Sequence, residues 1–287
     1  MKIKLALVFA LLLILVFTKG TTAQEEAVET PTPAPTERPF DFERAYQDYV
    51  FTVDVYGSEH SQYLLAKAQY NQAGTLVSQT KAREETVDML EARDDVIITY
   101  LTALRMKLLE ADGVSDITKN GLYTRIDSEV AWFTDHKARI SSAGSLNDLT
   151  ADSEEASDRY TSLTEVVAYE TLATYPFGRL SLMRDETNSI LTLIKDKLFE
   201  IRSNGDIDTT IAERWVFEVE NKITRSLDKE IEAQSVIPDL TAIPRNNRTV
   251  DRRRFYNDVI FKLDESRQFL REGTEFMEEI MREILFV

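Results

Sequence analysis

The chain has no cysteine in its 287 residues, which removes disulfides, cysteine-ligated zinc and thiol nucleophiles. Histidine occurs twice, as His60 and His136, and neither stands in the Glu-x-x-His pattern that a di-iron bundle uses twice. There is no Gly-x-Ser-x-Gly elbow, no Gly-x-Gly-x-x-Gly loop and no Gly-Lys-Ser/Thr loop, so the common serine-hydrolase and nucleotide-binding frames are missing. No metal or cofactor is implied, and the expectation is that the protein is not an enzyme. Glycine (9) and proline (7) are also scarce. Strand-forming residues do not alternate with polar ones over any long stretch, whereas apolar residues recur at spacings of three and four throughout.

Basic residues are outnumbered by acids, 34 to 50, giving a formal charge of −16. Such a surface repels nucleic-acid phosphates and anionic lipid, which argues against a nucleic-acid partner. One long apolar run exists, the 13 residues from Leu5 to Phe17, preceded by Lys2 and Lys4 and followed by Thr21-Thr22-Ala23. This is the pattern of an export signal, and it is short of the ~20 residues that span a bilayer. Cleavage is expected after Ala23, with a retained signal anchor as the alternative and the only route to a membrane. Removing residues 1–23 takes away Lys2, Lys4, Lys19 and no acid, which brings the charge from −16 to −19. Residues 24–39 carry four prolines and no apolar period, and read as a disordered Pro/Thr-rich spacer.

Residues 40–287 are expected to form an all-α domain, an elongated up-and-down bundle of long coiled-coil-like helices, with two lobes conceivable about residue 176. Its dominant stretch is Phe42 to Leu109, which contains no proline. A first heptad track runs through Phe42, Tyr49, Tyr56, Tyr63, Tyr70 and Val77. A second runs from Leu76 through Val87, Leu90, Asp94, Ile97, Leu101 and Leu108, one residue out of phase with the first. One glycine, Gly74, marks the change. The stretch is read as one continuous, bent helix of ~100 Å, with a hairpin of half that reach as the alternative. Further helices are expected over about 119–140, from Asp148 or Thr150 to an interruption at Tyr175-Pro176-Phe177-Gly178, and over about 179–203, 208–234 and 250–286. A structureless connection is expected over 236–249.

Five features qualify as candidate sites. Tyr49, Tyr56, Tyr63 and Tyr70 place polar tips where heptad seams usually hold Leu, Ile or Val, which suits either internal packing or a surface for a partner chain or glycan. Arg245, Arg248, Arg252, Arg253 and Arg254 form the one basic cluster. They read either as partners of the protein's own acids or as a site for an anionic polymer or headgroup. Glu84, Asp88, Glu91 and Asp95 share one helix face, read as solvated, with weak divalent-cation binding as the sharper alternative. His136 is read as a helix-surface residue in contact with a carboxylate, and Asn247-Arg248-Thr249 fits the glycosylation pattern.

Together these features give the expectation of an exported, non-enzymatic structural or interaction protein, a spacer or scaffold outside the cytoplasmic membrane. It would meet a protein or cell-surface polymer, or a second copy of itself. The alternative is a ligand-binding or sensory helical bundle of the cell envelope.

Overall fold

The structure, a computed structural model, describes residues 40–204, 208–242 and 250–285. The export signal, the spacer, Gly205 and Asp206, Arg245, Arg248 and the Asn247-Arg248-Thr249 sequon lie outside the described residues. Residues 40–287 form a unit of their own, separate from residues 1–39. The described part is an all-α helical bundle without strands: α1 (Phe42–Ala73), α2 (Leu76–Leu109), α3 (Asp116–Ile140), α4 (Leu146–Arg159), a π-helical turn (Tyr160–Thr164), α5 (Glu165–Asn204), α6 (Thr210–Leu240) and α7 (Arg252–Leu285).

The long first stretch is a hairpin, not one continuous helix. Gly74 ends α1 in the left-handed conformation (φ 60°), and its N–H donates to the Tyr70 carbonyl at 2.9 Å. Thr75 begins α2 at once. The Thr75 side chain accepts from the Ser78 N–H, and the Thr75 N–H donates to Ser78 Oγ. A left-handed glycine followed directly by a reciprocal capping box stops one helix and starts the next within two residues. The expectation of continuity rests on the glycine alone, whereas Thr75 and Ser78 supply the start signal that turns a bend into a hairpin. The arms are antiparallel: the Phe42 N–H reaches Glu110 Oε1 at 2.8 Å, and the Thr52 and Thr99 hydroxyls meet at 2.7 Å. The phase step between the two heptad tracks is therefore the passage from one helix to its neighbour.

Cross-helix pairs give the remaining directions. Lys137 and Asp95 (2.6 Å) and Arg105 and Asp127 (2.7 Å) set α3 antiparallel to α2. Arg202 with Glu213 and Lys222 with Glu272 do the same for α5 with α6 and α6 with α7. Ser115 and Ser145 cap α3 and α4 by accepting from N–H groups three residues on. The cap of α4 is thus Ser145 rather than Asp148 or Thr150.

Two prolines do not break their helices as expected. Pro176 lies inside α5, and α6 continues through Pro238 to Leu240. Proline in a helix interior costs ~3 kcal/mol, which extensive burial on both sides can offset: Val166, Val167, Leu172 and Ala173 are buried before Pro176, and Leu180, Leu191 and Ile194 after it. The irregularity instead falls at the π-turn between α4 and α5. The start of α5 meets α2 and α3, while the rest forms two apolar clusters with α6 and α7. One gathers around Leu180, Leu240 and Val259, the other around Leu191, Ile194 and Leu198 with Val219 and Ile280. A third cluster of Met89, Leu90, Ile140 and Leu149 joins α2, α3 and α4.

Backbone meets backbone where the α2–α3 connection crosses α5. A Cβ at Gly178 would lie 2.7 Å from Val114 Cγ2 and 2.9 Å from the Asp112 carbonyl oxygen, and one at Gly113 (φ 75°) would strike the Gly178 carbonyl. Gly57, inside α1, has nothing within 4 Å of such an atom. In urea denaturation, Gly113→Ala should lower stability by about 2–4 kcal/mol from left-handed strain plus overpacking. Gly57→Ala should raise it by about 0.5–1 kcal/mol.

Candidate functional site

Where α2, α3 and α4 meet, the apolar stripe of two helices is broken by polar residues that find each other. Asp94 occupies a seam position of α2, and His136 lies on the buried face of α3 with Ile126, Phe133 and Ile140. Both side chains are fully buried, with His136 Nδ1 2.5 Å from Asp94 Oδ2 and Nε2 3.0 Å from the Asp152 carbonyl of α4. A carbonyl only accepts, so Nε2 carries a proton, and the short contact on the other side holds a second between Nδ1 and the carboxylate. Trp132 stacks on the His136 ring at 5.0 Å, and Arg93 reaches both Asp94 (3.4 Å) and Ser153 (3.0 Å). His136 is therefore an internal group and not the surface residue expected. Its carboxylate comes from another helix.

Two turns away along α3, Glu129 is buried and accepts two bonds from Arg159 (2.6 and 3.0 Å) and one from the Thr164 hydroxyl (2.8 Å). Arg159 also lies over the Trp132 ring. The π-turn occupies the stretch between these two partners of Glu129. An open groove of about 650 Å³ runs alongside, lined in part by Arg125, Glu129, Arg159, Leu163, Val167 and Ile237. Its cations are already engaged, Arg125 with Glu170 (2.5 Å) and Arg159 with Glu129.

Among the described residues, two groupings have donor atoms close enough to share a metal ion: His136, Asp152 and Glu155, and Glu59, Glu85 and Asp88. In the first, His136 Nε2 is spent on a carbonyl. In the second, Lys81 pairs with Glu85. Of the acidic face read from the sequence, Glu84 and Asp88 are exposed. Asp95 accepts from Lys137, and burial pushes the Glu91 carboxyl above its usual range.

The tyrosine ladder turns towards the protein's own helices. Tyr49 is buried against Tyr100 at 5.6 Å. Tyr56 and Tyr63 pack on the Met89–Leu90–Ile140 cluster with the His60 ring between them, and Tyr70 is half-buried. The arginine cluster is divided. Arg253 and Arg254 are exposed, while Arg252 is buried, donating to Glu165 and to the Ala242 carbonyl at 2.9 Å each; its Nε has no hydrogen-bond partner. This pins the start of α7 to α5 and to the end of α6. Asp251 caps α7 at the Arg254 N–H, an anion where arginines oppose the helix dipole.

Compared with known protein families, with curated proteins and with solved structures, the chain matches none. Fold and geometry place it as an all-α helical bundle. No helix among the described residues is long and apolar enough to cross a membrane.

Removing one partner of a buried pair leaves the other uncompensated, so Asp94→Ala should cost about 3–5 kcal/mol in urea denaturation, whereas Asp94→Leu/His136→Leu should recover much of that loss. The tyrosines set a limit at high pH. Burial and the neighbouring Tyr46 push the Tyr49 hydroxyl up from 10.0 to about 12, burial and Glu165 do the same for Tyr169, and burial also raises Tyr100. The unfolded chain releases these protons first, so this stability is intact below pH 10 and is lost as pH rises through the folded values. Tyr49 alone should account for about 2 kcal/mol by pH 12. Stability measured across that range should fall steeply, and less steeply in Tyr49→Phe.

Proposed function

We propose that this is an exported, non-enzymatic helical interaction protein, a scaffold or spacer acting outside the cytoplasmic membrane, whose working surface is the outer half of the α1–α2 hairpin. The reading joins an export-type N-terminus and a proline-rich spacer to a bundle that uses its buried polar groups on one another. One observation carries it: large apolar residues are exposed on the outer half of the hairpin, among them Leu64, Leu65, Leu76 and Val77. Exposed residues of this kind also occur on α5 and α6, Leu193, Phe199 and Phe217 among them, but at the hairpin they stand on an end that contains no acid, and an apolar patch of that sort marks a contact surface. The buried side of the tyrosine ladder belongs to the scaffold, and the opposite side of the same helix is the part free for a partner.

A second reading, a ligand-binding or sensory bundle, draws on the groove beside the π-turn, since such turns often accompany functional sites. Its polar lining is engaged in internal pairs, which leaves fewer groups to orient a ligand.

The chain from Gln24 onward, added to intact cells of the organism that makes it, should bind saturably. Leu64→Ser/Leu65→Ser should weaken that binding at least about tenfold, the loss of two buried leucines. Absence of saturable binding, or equal binding by the variant, would overturn the reading.

A further inference from the structure

The outer end of the hairpin differs in charge from the rest of the chain. Residues 60–83 hold Lys67, Lys81 and Arg83 but no Asp or Glu, in a chain with 50 acids, and residues 68–80 hold no charge at all. From Leu64 to Lys81 only Ala66 is buried, and only Tyr70 and Ser78 are half-buried, so the two arms cover little beyond each other. Leu64 and Leu65 are 51% and 56% exposed, Leu76 and Val77 77% and 79%. The nearest seats on the remainder of the bundle are Tyr63, in the cluster with Ile140 and Ala143, and Arg83, which donates to the Ala143 carbonyl at 2.9 Å.

We propose that this tip docks on an anionic phospholipid surface, with Leu76 and Val77 entering the headgroup layer and Lys67 and Lys81 meeting the phosphates. Three observations fit that occupant. The uncharged cap extends five or six residues along each arm, ~8–9 Å, within the ~5–10 Å to which interfacial helices sink. Part of the turn's backbone is satisfied from within, through Gly74 N–H to Tyr70, Thr75 N–H to Ser78 Oγ and Ser78 N–H to Thr75 Oγ1, and the side chains around Leu76 and Val77 are uncharged amides and hydroxyls, Gln72, Thr75, Ser78 and Gln79, which suit the hydrated headgroup level rather than the hydrocarbon. Lys67 and Lys81 each lie seven residues from Gly74, a cationic collar behind an uncharged end; Lys81 pairs with Glu85 and Lys67 donates to the Tyr63 hydroxyl, solvent-facing contacts that a phosphate would replace. The acid-rich body starts on α2 at Glu84, ~12 Å back from Leu76 and one turn behind Lys81, so in an end-on approach the lysines stand nearer the phosphates than the acids do. End-on docking therefore presents the cationic part of an anionic protein.

The inference rests on the hairpin being the contact surface and adds the chemistry of what it contacts. The chain from Gln24 onward should co-float with vesicles of phosphatidylcholine and phosphatidylglycerol (about 7:3) and bind pure phosphatidylcholine far less. Leu76→Ser/Val77→Ser, folded by circular dichroism because both residues are solvent-facing, should reduce binding at least about tenfold. Lys67→Gln/Lys81→Gln should reduce it about fivefold per lysine. No flotation of the unaltered chain, or equal flotation of the serine variant, overturns the lipid assignment. Self-association in sedimentation velocity that is lost in the serine variant, without flotation, overturns it in favour of a second copy. Loss of lipid binding alongside intact cell-surface binding would remove this inference and leave the contact reading standing.

Discussion

Long amphipathic helices packed side by side can slide past each other by a turn and bury nearly the same apolar area, so something intolerant of sliding has to fix their register. In this protein that constraint is a set of buried polar pairs. Asp94 and His136 lock α2 to α3, and the Asp152 carbonyl brings in α4. Glu129, Arg159 and Thr164 hold α3 to the π-turn, and Ser226 and Ser266 fix α6 against α7 with a 2.8 Å bond between buried hydroxyls. Arg252 and Glu165 tie α7 to the start of α5. A one-turn slip would leave several of these groups buried without partners, a penalty far larger than the apolar area it would cost. Polar residues on an apolar stripe lower raw stability, and what they contribute is uniqueness.

The same constraint separates scaffold from surface. Internal pairing uses up the histidine, the buried glutamate and the groove-side arginines, and covers one edge of the tyrosine ladder. The hairpin beyond Tyr63 and Arg83 has no such pairing to any other helix among the described residues; its turn is closed by Gly74, Thr75 and Ser78 alone. It therefore presents apolar side chains without compromising the bundle behind it, a division of labour that suits a protein acting by contact.

Much of the fold was legible in the sequence. The all-helical class, the α3 and α7 stripes and the loops at Gly113 and Gly144 follow from period and capping chemistry acting within a few residues, whereas the apolar residues spaced by four along α6 leave Ile211, Leu227 and Ile231 exposed and the buried face is Ala212, Val219, Ser226 and Ala233. The hairpin was legible in principle too, because Gly74-Thr75-x-x-Ser78 carries a stop and a start together, although the glycine taken without its neighbours signals only a bend. Pro176 and Pro238 mislead for a different reason: a proline's local cost is fixed, whereas the packing that offsets it comes from helices far away in the chain. Of the candidate site, Asp94 was visible as an acid on an apolar seam. That it answers His136, 42 residues on, was not, since a helical period gives the face of a residue and not what that face meets.

By itself, then, the sequence determined the helical class, the faces of α3 and α7 and the acid-free stretch around Gly74, all properties of neighbouring residues. Only the tertiary structure decided that Tyr49 is covered while Leu76 and Val77 are bare, that Arg252 is buried apart from the exposed Arg253 and Arg254, and that Asp94 and His136 share a proton-bearing contact. Burial and pairing depend on which faces are brought together, and that is set by the register of whole helices.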